Sequence, residues 1–173
     1  MGKLIFGMMQ SLDGYVDDAA GRLQLPPPGR GAPPPLHRSS LRFGRSFYGR
    51  RMYEVMRYWD EDPAGMGRGC ARLRGGAAEK LVASRTLKSV GENATLVDGD
   101  LEVFVRRQKA EVEGDMDVAG PDLAGNLTSL GLIDEYRLYF RPFVPGARKP
   151  YFGGDRPPLR FVATDLIGRM RLG

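Results

Sequence analysis

The sequence predicts an α/β fold, a sheet with helices on both of its faces. Two observations carry this. Short apolar runs recur along the chain and end in polar or glycine-containing turns. Several of these turns are followed by segments whose apolar residues recur at helical spacing, i, i+3, i+4 and i+7. Strand-like and helix-like segments therefore alternate, and that alternation builds a sheet layered between helices. The 173 residues, 42% of them hydrophobic, suit one domain with one sizeable core, taken as residues 1–173. No internal repeat is visible.

The elements follow in order. Lys3 to Gln10 reads as a buried strand, and Asp13-Gly14 in "SLDGYV" is a turn dipeptide. Gln24 to Arg45 holds two proline triplets, which forbid a regular helix or central strand. It is expected to be an extended, polyproline-like surface loop. Phe47-Tyr48 ends a short strand, and a helix starts at Gly49, with Met52, Val55, Met56 and Trp59 on its buried face. Met66, Cys70 and Leu73 keep a weak helical spacing in the glycine-rich stretch from Asp60 to Gly76. Lys80 to Leu87 reads as a short apolar strand running into a polar turn, and Ala94 to Asp98 as another.

Asp100 is a candidate N-cap for a helix that turns Leu101, Phe104 and Val105 inward. "DMDVAG" is a strand ending in glycine. "PDLAGNLTSLGL" is a helix with Pro121 in its first turn and Leu123, Leu127 and Leu130 inward. Asp134 to Val144 alternates sharply: Tyr136, Leu138 and Phe140 on one side, Arg137, Tyr139 and Arg141 on the other. "LRFVATD" and the last residues supply the final strands.

Composition narrows the function. The longest apolar run falls far short of the ~20 residues a membrane helix needs, so no membrane partner is expected. The N-terminus lacks a signal-peptide cleavage site, and Phe6 stands where a myristoylation signal has Ser or Thr. The single cysteine, Cys70, excludes an intramolecular disulfide and a Cys-based metal site, and fits a reducing cytoplasm. The lone histidine, His37, builds no metal site by itself. Net charge is +5, but the arginines are scattered and no block of like charges appears. Nucleic-acid binding is not expected, because arginines and aromatics do not interleave on one surface.

Three stretches share a design of strand, turn, then helix or loop: "FYGRRMYE", "LVASRT" and "DVAGPDLAGNL". Ligands of open α/β sheets bind outside the carboxyl ends of the strands, where these turns would lie. A helix N-terminus favours an anion through its free N–H groups and dipole. Gly49 permits close backbone approach, and Arg50 and Arg51 add charge-assisted donors. Taken alone, "GRR" is more often a charged, solvated helix start than a phosphate site.

In combination, "LIFGMMQSLDGYV", "YGRRMYE", "LVASRTL", "DVAGPDLAGNL" and "GLIDEYRLYFRPFVPGARKPYF" resemble the dihydrofolate reductase superfamily. The closer resemblance is to the reductase domain of the bifunctional riboflavin-biosynthesis deaminase–reductase. It spans most of the chain in the family's order. It implies a three-layer fold with a mostly parallel central sheet, binding NADPH at its carboxyl edge, in a cytoplasmic homodimer. Gly49, Arg50, Arg51 and Met52 match the helix start beneath the cofactor phosphates; Met52 stands where relatives often have Thr. Ser84, Arg85 and Thr86 match the turn holding the adenosine ribose and 2′-phosphate. Gly120, Pro121, Asp122 and Leu123 match the diphosphate turn, with Ala119 replacing the first of its paired glycines.

The implied reaction is hydride transfer to a C=N or C=O carbon of a small heterocyclic or ribosylamino substrate. Asp13 is the candidate for substrate contact or proton relay, and equally a backbone turn-former. Arg22, Arg38 and Arg42 lie near the expected substrate side. A pterin reductase and a non-catalytic nucleotide-binding protein that kept the fold are the alternatives.

Overall fold

The computed structural model describes residues 2–17, 43–61, 79–92, 94–141, 144, 146 and 149–164, with the backbone alone for 58–61. The triplet-proline part of the 24–45 loop, the weak helical spacing at 66–73, His37, Cys70, Arg22, Arg38, Arg42 and the Trp59 side chain lie outside this description.

Among the described residues, six strands form one sheet: β1 (Leu4–Ser11), β2 (Arg45–Gly49), β3 (Glu79–Ala83), β4 (Ala94–Leu96), β5 (Met116–Ala119) and β6 (Glu135–Arg141). Their order is β4-β3-β2-β5-β1-β6. Every pairing between these strands is parallel. The register lines up Phe6 with Val118 and Tyr136, and Val118 with Phe47, across the centre of the sheet. Among the described residues, three helices lie between the strands: α1 (Arg50–Glu61), α2 (Leu101–Glu111) and α3 (Pro121–Ser129). The α/β class read from the sequence is the class observed.

Strand alternation gives the sheet two different faces. Leu4, Phe6, Phe47, Leu81, Met116 and Val118 point to one face and pack with Val105 of α2 and Leu123, Ala124 and Leu127 of α3. Tyr48 and Val82 point to the other and pack with Tyr53 of α1. Asp100 caps α2 as its sequence suggested, accepting a bond from Val103 N at 3.0 Å. No described helix is long and apolar enough to cross a membrane.

Four expectations need correction. Among the described side chains of α1, Tyr53 is the buried one, and Val55 is exposed. The amphipathic face is rotated because the Tyr53 ring goes inward while its hydroxyl accepts from Gly91 N at 2.7 Å. Leu130 is also exposed, since α3 ends at Ser129 and Leu130 is its cap. Residues 159–164 form no strand, and Leu159, Phe161 and Val162 are exposed. Phe43 is buried and Arg45 opens β2, so the end of the proline-rich segment belongs to the sheet.

Asp134 fastens the edge strand β6 to β1. Its carboxylate accepts from Leu4 N at 2.8 Å and pairs with Lys109 Nζ at 2.6 Å, while its N–H donates to Leu4 O at 2.9 Å. Tyr151 works from the other side: its buried hydroxyl donates to Phe6 O at 2.9 Å, and burial pushes its pKa well up. In mid-sheet, Ser46 Oγ donates to Asp117 on the neighbouring strand. Loss of water pushes the Asp117 carboxyl from 3.8 up to about 7, against the opposing effect of the Ser46 bond.

This shift has a sign. The folded state holds the Asp117 proton more tightly than the unfolded chain, so the associated stability is complete below pH 3.8 and is lost as pH rises through about 7. Asp117→Asn should remove that decline. Urea unfolding of the parent and the variant at about pH 5 and about pH 8 checks it: the parent's loss between the two values should shrink in the variant.

Candidate functional site

Because all the described strands run parallel, their carboxyl ends share one edge of the sheet. Sheet order then fixes the sequence of turns along it. The Ser84–Thr86 turn after β3 comes first, then Gly49–Met52 after β2, then Gly120–Leu123 after β5, then the Asp13 turn after β1. The three strand-turn segments singled out from the sequence are thus neighbours in space.

The pair β2 and β5 is the topological switch point. The chain leaves β2 for β3 on one side, and leaves β5 toward β6 on the other. The helices that follow them, α1 and α3, pack on opposite faces. Such a divergence opens a crevice at the strand ends, the usual ligand position in open α/β sheets.

Two glycines set the floor of this crevice. A Cβ on Gly49 would lie 3.5 Å from Leu123 Cβ of α3, and a Cβ on Gly120 would lie 3.4 Å from Met52 Cβ of α1. Gly120 also has φ +99°, a conformation that L side chains rarely adopt. Met52 is half-buried and touches both core clusters, so it fills the space beneath Gly120. Ala119 packs against the Tyr48–Tyr53–Val82 cluster, which places its methyl on the sheet face. At the head of α3, Gly120 supplies no side-chain cap and Pro121 occupies the first turn.

The first and second turns are joined by side chains. Arg50 Nη1 donates to Thr86 Oγ1 at 2.8 Å, and Arg50 Nε donates to Glu54 at 2.7 Å. Ser84 Oγ accepts from Thr86 N at 3.2 Å and Leu87 N at 3.0 Å, so this hydroxyl shapes the turn. Arg51 and Arg85 are exposed, and neither has a side-chain partner among the described residues. Among the described residues, this group offers two guanidinium groups without a side-chain partner and a third whose partners are exposed. The first turn of α1 contains no acidic residue.

Asp13 lies further along the edge. It accepts from Ser11 Oγ on one oxygen and from Gly146 N, at 3.1 Å, on the other. Its carboxylate ties the β1 turn to the segment after β6. Lys149, which sequence reading did not single out, extends the same connection. Its backbone exchanges bonds with the β1 loop, Val16 N to Lys149 O at 2.9 Å and Lys149 N to Asp17 Oδ1 at 2.9 Å. Its Nζ pairs with Asp122 in the first turn of α3 at 2.6 Å. No sequence signal connects Asp122 and Lys149 other than opposite charge. Among the described residues, no group of three or more His, Cys, Asp or Glu is placed to hold a metal.

A model of the RibD C-terminal domain family matches residues 2–169. No curated protein sequence matches the chain. Among solved structures, a putative riboflavin biosynthesis protein from Shewanella sp. PV-4 is similar, with a TM-score of 0.64 and 22% identity, over 86% of this chain and 82% of that one. RibD from Acinetobacter baumannii has a TM-score of 0.59 and 15% identity, over 91% of this chain and 51% of that one. The Thermotoga maritima diaminohydroxyphosphoribosylaminopyrimidine deaminase/5-amino-6-(5-phosphoribosylamino)uracil reductase has a TM-score of 0.59 and 12% identity, over 88% of this chain and 48% of that one. The chain spans about half the length of these last two proteins.

The crevice floor can be tested by substitution. Gly120→Ala places a methyl group on Met52 and forces an L residue to φ +99°. Denaturant unfolding should show a loss of about 1–3 kcal/mol. Gly99→Ala, also at positive φ but with open space around it, should cost no more than the backbone strain alone.

Proposed function

The chain belongs to the RibD C-terminal domain family, and from that premise we propose that it is an NADPH-dependent reductase of riboflavin biosynthesis. It would act on a C=N or C=O carbon of a phosphorylated ribosylamino heterocycle. One observation supports this most: two glycine-floored helix starts flank the switch point, and Arg50 bridges from one of them to the Ser84–Thr86 turn.

The residues present fit a dinucleotide. The α3 start lacks a side-chain cap, and Gly120 adds no side chain at its φ of +99°. In this reading, Gly120, Pro121, Asp122 and Leu123 present backbone to the diphosphate, and Gly49, Arg51 and Met52 border it from the α1 side. Arg50, Arg85, Thr86 and Ser84 hold the adenosine ribose and its 2′-phosphate. When bound, the reduced nicotinamide supplies a hydride. Asp13, on the next turn of the edge, is assigned to the substrate side, where its Ser11 and Gly146 bonds fix its orientation.

The same two bonds favour a second reading, nucleotide binding without turnover, because they leave neither Asp13 oxygen free of a protein partner. NADPH binding with no oxidation in the presence of the pyrimidine substrate is the outcome that selects it.

We also propose a homodimer built on the β6 edge. This outer strand carries Leu138 and Phe140, 37% and 55% exposed, and Val144 beyond it is 66% exposed. An exposed apolar edge strand is a pairing surface, and a second copy of the chain supplies the same complementary edge. Light scattering should give a dimer mass for the parent and a monomer mass for Phe140→Glu. A monomeric parent removes the proposal.

Titration with NADPH and NADH tests the cofactor assignment. The parent should bind NADPH at micromolar concentration and prefer it clearly to NADH. Arg50→Ala and Arg85→Ala should each weaken NADPH by about tenfold or more, the loss of one charge-assisted contact, and leave NADH nearly unchanged. Equal losses for both cofactors would remove these arginines from the 2′-phosphate.

A further inference from the structure

Asp122 poses an electrostatic problem for any anion at the α3 start. It occupies the first helical turn, beside the Gly120 and Leu123 backbone that the proposed reading turns toward a diphosphate. Its side chain is 70% exposed, so its charge is not removed by burial. A carboxylate there stabilises the helix through the dipole, but repels a ligand carrying the same sign.

Lys149 answers that charge from a distant part of the chain. Its Nζ lies 2.6 Å from Asp122 Oδ2, and its own side chain is 28% exposed. The backbone holds it in place independently of the side chain. Val16 N donates to Lys149 O, Lys149 N donates to Asp17, and Tyr151 N donates to Gly14 O. Further along, the backbone packs directly against α3: a Cβ on Gly125 would lie 3.8 Å from Gly154 N, and one on Gly153 would lie 4.0 Å from Pro121 O. The 149–154 segment is thus fastened to both the β1 loop and α3, with the ammonium group beside the Asp122 carboxylate.

The pair does little for stability. Exposed ion pairs contribute only about 0–1 kcal/mol, and the connections that fix the segment are backbone bonds and the buried Tyr151. We propose that Lys149 is a positioning residue of the cofactor site, cancelling the Asp122 charge so that the start of α3 accepts an anionic diphosphate. This rests on the proposed reductase reading and adds to it a residue from after β6. The carboxylate keeps its favourable place in the first helical turn, and the ammonium makes the local charge seen by the ligand nearly zero.

Charge cancellation has a signature that a direct phosphate contact or a structural role lacks. Lys149→Gln exposes the Asp122 charge and should weaken NADPH about five- to tenfold in a binding titration, as expected for one unit charge several ångströms from the ligand in a partly solvated site. Asp122→Asn leaves Lys149 uncompensated and should tighten binding by a similar factor. The double variant should return to within about twofold of the parent, and Lys149→Arg should bind as the parent does. The Lys149→Gln effect should shrink as salt is raised, and its melting temperature should match that of the parent.

A double variant as weak as Lys149→Gln would overturn the inference, since it would mean direct contact with the ligand. So would a Lys149→Gln chain that binds NADPH as the parent does, or one whose weakened binding accompanies a lowered melting temperature. A parent that binds no NADPH removes the reductase reading, and this inference with it. A parent that binds while Lys149→Gln matches it removes only the inference.

Discussion

Neighbouring strands lie only about 4.8 Å apart, whereas packed helices need about 8–10 Å between their axes. Helices that follow adjacent parallel strands share a face within each half of a doubly wound sheet, and take opposite faces where the strand order reverses. Here β2 and β5 are adjacent, and each leads directly into a helix at the same edge. This is such a reversal: α1 lies on one face and α3 on the other, which opens the sheet edge between them. The two helices begin close together: a Cβ at Gly49 would rest in ordinary contact with Leu123, and one at Gly120 with Met52. The divergence is a consequence of topology, and at Gly120 the φ of +99° favours glycine. Met52 fits this arrangement as a flexible filler beneath Gly120, a role that a shorter hydroxyl side chain would leave partly unfilled.

Everything on the far side of the crevice depends on how β1 is held between β5 and β6. Parallel strands need long connections, so the chain cannot hold them with tight hairpins. Asp134 acts at the start of β6, binding Leu4 and Lys109 at once. Tyr151 acts beneath the strands, its ring against Phe6 at 4.5 Å between centroids and its hydroxyl on the Phe6 carbonyl. The residues between β6 and Tyr151 fasten the β1 turn through Asp13 and the Lys149 backbone. The loop that carries Asp13 is therefore held from the C-terminal part of the chain.

These long-range ties explain what the sequence showed and what it concealed. Strand ends, the Asp100 cap, Pro121 at a helix start and the three edge turns are local features, and local patterns revealed them. The inward face of α1 was misjudged because a tyrosine counts as half polar in a periodic pattern. Burial of Tyr53 depends on Gly91, 38 residues away, accepting the role of hydroxyl partner. Leu130 and the 159–164 segment carry apolar residues at suitable spacing, yet helix termination and the absence of strand pairing leave them exposed. Lys149 was illegible for a related reason: its meaning lies in Asp122, 27 positions earlier, and in a backbone ladder with residues 14–17.

The arginines of the edge are poised differently, and the difference bears on how a 2′-phosphate would be recognised. Arg50 is already committed to Glu54 and Thr86, but the Arg50–Glu54 pair is about half exposed on both sides, 52% and 48%. Such a pair contributes only about 0–1 kcal/mol. Charge-assisted bonds to a phosphate dianion are stronger than that, so Arg50 loses little by turning from Glu54 to the ligand. Its bond to Thr86 keeps the guanidinium leaning toward the β3 turn in the meantime, which reduces the side-chain freedom lost on binding. Arg85 has no such restraint among the described residues, so more of its freedom would be lost in the same contact. Of the two, Arg50 is the better preorganised for the phosphate, although Arg85 sits on the turn that would hold it.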